Sequence, residues 1–146
     1  MPRLFLSALA LLALTGCDGN DPQPVIGDLT VTLNPPFVEG NQLLIQTEET
    51  FSEMCALGIA ADVEDASAEI EITGNHPAVV CLTALGPWSA SARLPDADLD
   101  GYRIELVKDG ARDEFVIRSN GEGLPLSLQA VRTSFSRVVP PVYPED

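Results

Sequence analysis

The sequence has few basic residues, few aromatic residues and a single His. Its 146 residues include eight Lys and Arg against 22 Asp and Glu, which gives a formal net charge of −14. Phosphate recognition needs clustered Lys and Arg, so this balance excludes a nucleic-acid-binding protein. A lone His excludes sites that need two imidazoles. The chain also lacks a GxSxG-type nucleophile elbow and any CxxC spacing.

The length supports one domain. Twelve Pro and eleven Gly argue against a helical bundle and favour many short elements joined by turns.

The N-terminus is predicted to be a targeting segment rather than part of the fold. Arg3 gives a short positive start, and residues 4–14 (LFLSALALLAL) form an apolar run of eleven. A helix of that length spans about 16 Å, roughly half of the hydrocarbon core of a bilayer. The run therefore fits the apolar region of a secretory signal and not a membrane-spanning helix.

Residues 14–17 (LTGC) closely resemble the lipobox of bacterial lipoproteins. In that family the Cys receives a diacylglyceryl group, the chain is cut before it, and the new N-terminus is acylated. The resemblance implies that Cys17 becomes the first residue of a lipid-anchored protein; a plain secretory signal is the alternative. Asp18 resembles the residue that retains enteric-type lipoproteins at the inner membrane, which implies its periplasmic face, with the outer membrane as the alternative.

The predicted organisation is a signal peptide (1–16), a lipidated Cys with a flexible tether (17–27), a β-sandwich domain (28–139) and a Pro-rich tail (140–146). Removal of residues 1–16 deletes Arg3 and no acid, so the mature chain has seven basic and 22 acidic residues. Residues 17–92 hold twelve of these acids and no base. This acidity indicates either a solubilising surface or a docking face for a basic partner or divalent cations.

Apolar residues that alternate with polar ones predict a chain of β-strands. The predicted strands 102–108 and 114–118 flank Asp109 and Gly110, and such a dipeptide between strands is a hairpin signal. The predicted strands are 29–33, 43–47, 68–73, 78–85, 88–94, 102–108, 114–118 and 124–131. Seven or eight strands at this spacing predict an all-β, antiparallel sandwich.

Two segments need separate interpretation. Capping-box spacing at their start means that residues 51–61 could form a short helix. Residues 55–63 also place an apolar residue at every second position, however, and we favour a loop followed by a strand. Residues 78–85 (AVVCLTAL) form a nearly continuous apolar run, which predicts a central buried strand.

Once Cys17 is lipidated, Cys55 and Cys81 are the two remaining cysteines. Outside the cytoplasm disulfides persist, so we expect these two to pair and to staple the fold. Buried free thiols or a redox pair are the alternatives.

The stretches 85–88 (LGPW), 94–95 (LP) and 101–104 (GYRI), together with the two Cys, resemble small Ig-like sandwich domains of uncharacterised bacterial lipoproteins. The resemblance covers roughly residues 28–118. It implies an Ig-like fold and brings no catalytic residues with it.

Asp96, Asp98, Asp100 and Gly101 match the first half of an EF-hand-like calcium loop. The twelfth position should be a bidentate Glu and is Val107 instead. We therefore expect an acidic turn and no metal, with calcium binding as the alternative.

Other polar residues offer little chemistry. His76 lies in a turn cluster without a partner His, and we interpret it as an exposed loop residue. Neighbouring carboxylates on a strand point to opposite faces, so such pairs do not converge. The residues considered and set aside as catalytic are Glu48, Glu49, Glu69, Glu71, Asp113 and Glu114. Core packing is the preferred interpretation of Trp88, Tyr102 and Phe115, over a sugar-stacking platform.

The sequence thus predicts a lipid-anchored, extracytoplasmic binding or structural module of the bacterial cell envelope, without enzymatic activity or a cofactor. Its partners are expected to be the membrane, through the anchor at Cys17, and a basic envelope protein. The alternative is an inhibitor of a basic, lysozyme-like enzyme, and a third hypothesis is a carboxylate-based hydrolase.

Overall fold

The computed structural model describes residues 27–51, 54–75 and 81–144. The predicted signal peptide, Cys17, Asp18 and His76 lie outside these residues. Within them the chain is all-β, with nine strands and no helix. No helix in this part of the chain is long and apolar enough to cross a membrane.

The nine strands are numbered in chain order. They are β1 (Leu29–Leu33), β2 (Gln42–Thr47), β3 (Leu57–Val63), β4 (Ser67–Asn75), β5 (Ser89–Arg93), β6 (Arg103–Lys108), β7 (Ala111–Ser119), β8 (Leu126–Arg132) and β9 (Ser136–Val138).

The strands form two sheets, an arrangement consistent with a β-sandwich. One sheet has the order β5-β2-β1-β9 and the other the order β3-β4-β6-β7-β8. The prediction of purely antiparallel pairing is wrong, because β1 pairs with β9, and β4 with β6, in parallel. Both parallel pairs arise where the chain changes sheets, between β5 and β6 and between β8 and β9. After these two changes the new strand lies beside a strand that runs in its own direction, whereas after the changes from β2 to β3 and from β4 to β5 the new strand pairs antiparallel.

The core lies between the inner faces of the two sheets and follows from period-two alternation. On β1 the side chains of Leu29, Val31 and Leu33 are buried, and on β7 those of Phe115 and Ile117 are buried. Neighbouring residues on each strand point outward, so most Ser, Thr, Glu and Arg side chains of the sheets reach solvent.

The predicted hairpin at Asp109 and Gly110 is confirmed. Strands β6 and β7 pair antiparallel on either side of these residues. Both have left-handed backbones, with φ of 50° and 78°, as a two-residue type I′ turn requires.

The segment after Phe51 forms the strand β3, so the helical alternative is wrong. Strand β3 pairs along its length with β4, and its register shifts between Gly58 and Ile59. A Cβ on Gly58 would lie 2.5 Å from the carbonyl oxygen of Gly74, so this close crossing requires glycine. Long-range pairing and a bulge therefore decide between two patterns that local sequence left open.

The prediction of a central buried strand at 78–85 is wrong for its described part. Residues 81–85 form only an isolated bridge between Met54 and Leu82. The side chains of Leu82 and Leu85 are 64% and 77% exposed. Apolar content alone does not say which strand a segment pairs with, and β4 and β6 occupy the middle of the sheet instead. Strand β9 was not predicted, because three residues carry too little pattern.

Candidate functional site

Strand directions divide the loops into two groups at opposite ends of the sandwich. The Gly27 end contains residue 27, where the described chain begins, and the loops 48–56, 81–88, 109–110 and 133–135. The opposite end contains the loops 34–41, 64–66, 94–102 and 120–125 and the tail 139–144. The chain that leads to the predicted anchor thus enters at one end, and the loops at the other end lie farthest from it.

The opposite end is uniformly acidic. Its loops hold seven acidic residues and no Lys or Arg: Glu39, Glu64, Asp65, Asp96, Asp98, Asp100 and Glu122. All seven basic residues in the described part of the chain lie within strands instead. The described loops at the Gly27 end also lack Lys and Arg but hold fewer acids, Glu48, Glu49 and Asp109, so acidic residues are denser at the opposite end without being confined to it.

An exposed aromatic residue lies at this acidic end. Phe37, in the β1–β2 hairpin, is 91% exposed and has a left-handed φ of 69°. A bulky residue rarely adopts that backbone, and such outliers concentrate at functional positions. The base of the hairpin is well held, because the Asn34 amide donates to Gln42 O at 2.7 Å and the Gln42 amide donates to Asn34 Oδ1 at 2.9 Å. The Tyr143 hydroxyl, in the tail, lies 3.4 Å from Asn34 O.

Each of the three Asp side chains in the calcium-like loop interacts with a different partner. Asp96 forms an ion pair of 3.1 Å with Arg93. Asp98 Oδ1 accepts the Asp100 amide at 3.0 Å, and Asp100 Oδ1 accepts the Ser119 amide at 2.9 Å. The described residues contain no group of three His, Cys, Asp or Glu arranged to hold a metal ion. The loop is an acidic turn in this structure.

The disulfide lies at the Gly27 end. Cys55 and Cys81 form the expected disulfide, with Cα atoms 4.4 Å apart, and it joins two loops rather than two core strands. Beside it the Phe51 ring stacks on Trp88 at 4.6 Å between centroids. Trp88 is buried, as are Tyr102 and Phe115, so these aromatic side chains form no exposed platform.

The chain's single Lys fixes residue 27 to this end. Lys108 Nζ donates to Gly27 O at 2.6 Å and lies 5.4 Å from the centre of the Phe135 ring. The half-buried ammonium thereby connects β6, the turn before β9 and the entry point of the chain.

Asp113 is fully buried and is held by four hydrogen bonds. Its Oδ1 accepts the amide and hydroxyl of Ser134, at 2.6 and 2.8 Å. Its Oδ2 accepts the Phe135 amide at 3.1 Å and the Ser136 hydroxyl at 2.5 Å. Because β7 and β9 belong to different sheets, this carboxylate ties the two sheets together at the point where the chain crosses between them.

The environment shifts two pKa values. Burial raises the pKa of Asp113, but the hydrogen bonds from Ser136, Ser134 and Phe135 outweigh it, so the pKa lies below its usual range and the carboxylate stays ionised. Burial, followed by the nearby Glu64 and Asp65, raises the pKa of Tyr102. The Tyr102 hydroxyl lies 2.8 and 2.7 Å from the carbonyl oxygens of Glu64 and Ser67.

The other carboxylates that sequence analysis considered are mostly paired with arginine. Partners come from opposite halves of the chain: Glu48 pairs with Arg137, and Glu69 with Arg112 at 3.0 Å. Glu114 pairs with Arg132 at 2.7 Å on the outer face, whereas its neighbour Asp113 points inward. The acidic half of the sequence is therefore not an acidic half of the surface, because interleaved strands bring bases to it.

Sequence analysis missed the role of Asp113. The signal available was an Asp at an inward position of the alternating pattern that also places Phe115 and Ile117 in the core. A run of hydroxyl residues at 133–136 (TSFS) supplies its donors, but only the fold shows that the two segments meet.

Comparison with family models, with curated protein sequences and with solved structures found no match to this chain.

Proposed function

We propose that the chain is a lipid-anchored, extracytoplasmic lipoprotein of the bacterial cell envelope, whose Ig-like β-sandwich is a non-catalytic binding module. One observation carries the proposal: the chain from the predicted anchor enters at the Gly27 end, and the acidic loops with exposed Phe37 lie at the opposite end. A protein tethered in this way presents those loops away from the bilayer, where a partner can reach them.

The tether sets how far the domain stands from the membrane. The predicted tether before Gly27 consists of the ten residues 17–26. Fully extended, these residues reach about 35 Å, and as a flexible chain they reach about 17 Å. The mature chain has seven basic and 22 acidic residues, and its net charge of −15 repels anionic headgroups. The acyl chains, rather than the protein surface, therefore hold the protein at the membrane.

Other features support the location and the fold. A disulfide between Cys55 and Cys81 fits an oxidising compartment. Asp18 favours the periplasmic face of the inner membrane, with the outer membrane as the alternative. Two facing sheets support an Ig-like sandwich, although the disulfide joins loops at one end instead of strands across the core.

A non-catalytic role is supported by the contacts of four of the six candidate carboxylates. Glu48, Glu69 and Glu114 form ion pairs, and Asp113 is saturated with donors. Acid–base catalysis needs a carboxylate that is free to exchange a proton with substrate, and each of these has another task.

The anchor is tested by metabolic labelling of cells with an alkyne-bearing fatty acid. We expect the wild-type protein to carry the label and to stay with the membrane fraction, and Cys17→Ser to lose both. The double variant Cys55→Ser/Cys81→Ser is the matched control, because it removes the other two thiols and should keep the label. A Cys17→Ser protein that is still labelled would refute the anchor.

The partner is tested by photo-crosslinking in the native envelope from a probe at position 37 and, as a control, from a probe at position 109. We expect a discrete basic protein to be captured from position 37, and capture to fall as salt rises. Neutralising Glu39→Gln, Asp65→Asn and Glu122→Gln together should abolish capture, whereas Asp109→Asn at the Gly27 end should not. Equal capture from both probes would refute a docking role for the opposite end.

The second candidate is an inhibitor of a basic, lysozyme-like enzyme. The acidic loops around Phe37 favour it, because they would steer a cationic enzyme to an exposed aromatic anchor. Purified protein at micromolar concentration should then inhibit lysozyme, and Phe37→Ser should lose inhibition. No inhibition at that concentration sets this candidate aside.

A further inference from the structure

Two arginines differ from every other basic residue that the structure describes. Five of the seven have a partner: Arg93, Arg112, Arg132 and Arg137 form ion pairs, and Lys108 binds Gly27 O. Arg103 and Arg118 are exposed and form no side-chain hydrogen bond or ion pair with a described residue. In a chain with 22 acids, two unpaired guanidinium groups require a separate explanation.

Both arginines line the same groove on the outer face of the five-stranded sheet. The groove has a volume of about 660 Å³, within the range of small-molecule sites. The other residues that line the groove include Ser67, Glu69, Glu105, Glu114 and Val116. The site therefore lies on a rigid sheet surface rather than on a loop.

The strand register places the two guanidinium groups on the same face. Arg103 on β6 lies opposite Val116 on β7, and Arg118 is two residues further along β7. Gly101 lies next to Arg118, because the Gly101 amide donates to Ile117 O at 2.8 Å. The left-handed φ of 80° at Gly101 favours glycine, and a Cβ there would only reach ordinary contact, 4.0 Å, with Arg118 Nη1.

The lining of the groove holds two arginines, Arg103 and Arg118, and three glutamates. The glutamates are paired with arginines outside the lining, Glu69 and Glu105 with Arg112 and Glu114 with Arg132. Arg103 and Arg118 are therefore the lining charges that form no ion pair with a described residue, which suits a ligand with a single anionic group. The glutamates would repel a polyanion such as a nucleic acid or polyphosphate.

We propose that this groove binds the C-terminal carboxylate of a short peptide, with Arg103 and Arg118 as its anion-binding residues. A guanidinium presents a planar fork of N–H donors that matches the two oxygens of a carboxylate. The groove next to them has room for a few residues, and its glutamates and Ser67 accept hydrogen bonds from peptide N–H groups or from an ammonium. This site is independent of the anchor and of the opposite-end loops.

The test is an NMR titration of the mature protein in detergent micelles with trialanine, followed through the backbone amides of residues 103, 116 and 118. We expect saturable shifts at these amides, and no saturable shifts with trialanine amide, which lacks the carboxylate. Arg103→Gln and Arg118→Gln should each raise the dissociation constant about tenfold, since a charge-assisted hydrogen bond carries about that factor.

Arg93→Gln is the matched control, because it removes an exposed strand arginine that lies outside the groove and should leave the dissociation constant unchanged. Unchanged amide spectra away from the groove show that the variants fold. The proposal is overturned if trialanine amide binds as well, if Arg93→Gln weakens binding equally, if inorganic phosphate displaces trialanine at equal concentration, or if no shift saturates.

Discussion

The two ends of the sandwich differ in what holds them. At the Gly27 end lie the disulfide, the Phe51–Trp88 stack, the Lys108 contacts and the buried Asp113. The opposite end is held by the buried side chains of Leu94, Leu99 and Tyr102, by hydrogen bonds and by the Arg93–Asp96 ion pair, and it exposes Phe37 among acids. Among the described residues, the disulfide and the buried carboxylate lie at the Gly27 end, and the exposed Phe37 lies with seven acidic residues at the opposite end.

This division explains why the two ends should respond differently to mutation. Ties between loops or between sheets make the Gly27 end sensitive, because each removal leaves a buried group without a partner or frees a long loop. Substitutions of exposed loop residues change few contacts and should be tolerated. The predictions below test this contrast, from the largest expected effect to the smallest.

Removal of the disulfide by Cys55→Ala/Cys81→Ala should cost the most, about 3.5 kcal/mol of unfolding free energy for a loop of roughly 27 residues in the chain-entropy model. Urea titration of oxidised wild type, reduced wild type and the double variant measures it. Reduced wild type should match the variant. A loss of unfolding free energy below about 1 kcal/mol would mean that the disulfide contributes little to the stability of the fold.

Asp113→Asn should lower the unfolding free energy by about 2–3 kcal/mol, because an amide nitrogen cannot accept the bonds that one carboxylate oxygen receives. Chemical denaturation measures the loss. Glu114→Gln is the control; it is the next residue on the strand, faces solvent and should change stability by less than about 1 kcal/mol. Equal effects of the two variants would contradict the role of Asp113 as an inter-sheet tie.

The same carboxylate makes stability depend on pH in a defined direction. Because its pKa is lower in the folded than in the unfolded state, it contributes stability above the unfolded pKa, and that contribution is lost as the pH falls through the folded pKa. Between neutral pH and about pH 2 we expect wild type to lose more stability than Asp113→Asn. Parallel pH profiles would refute this.

Lys108→Met should cost about 1–2 kcal/mol, through the hydrogen bond to Gly27 O and the contact with the Phe135 ring. Hydrogen exchange should quicken first at residues 27–29. Arg103→Met, on the same strand and exposed, should leave both quantities unchanged. No change in exchange at residue 29 would show that Lys108 does not fix the chain entry.

Phe37→Gly should have the smallest effect and change the unfolding free energy by less than about 1 kcal/mol, because it relieves a left-handed backbone and removes an exposed ring. Phe135→Ala, at the Gly27 end and buried, should instead cost about 3 kcal/mol. Thermal unfolding of both variants compares the ends directly. A loss of stability in Phe37→Gly as large as that in Phe135→Ala would contradict the difference between the two ends.

Much of the fold was predictable, because strands that have one buried face alternate between apolar and polar residues. Residues 29–33 and the Asp109–Gly110 hairpin follow from local pattern and turn chemistry. Pairing partners did not follow, since sequence alternation says which face is buried but not which strand lies beside it. That gap explains the wrong strand at 78–85, the two parallel pairs and the missing β9.

The candidate sites were less predictable for the same reason. The pairing of Cys55 with Cys81 followed from their number once Cys17 was set aside as the predicted lipidation site. Asp113 lies near Ser134 and Ser136, and Arg103 near Arg118, because the fold brings together residues 15–23 positions apart. Acid content could be counted in the sequence, but its division between the two ends required the strand directions.

The confinement of every described Lys and Arg to a strand has a consequence for proteolysis. Proteases of the trypsin type cut after Lys or Arg in segments that can adopt an extended, accessible conformation. Within the loops at the opposite end no residue offers such a bond. The bond that enters them, Arg93–Leu94, is held by the hydrogen bond from the Leu94 amide to Asn41 O at 2.8 Å, and the bonds within the strands are protected by sheet hydrogen bonds. The folded domain should therefore survive trypsin under native conditions, and the loops it presents should be the last part to be lost.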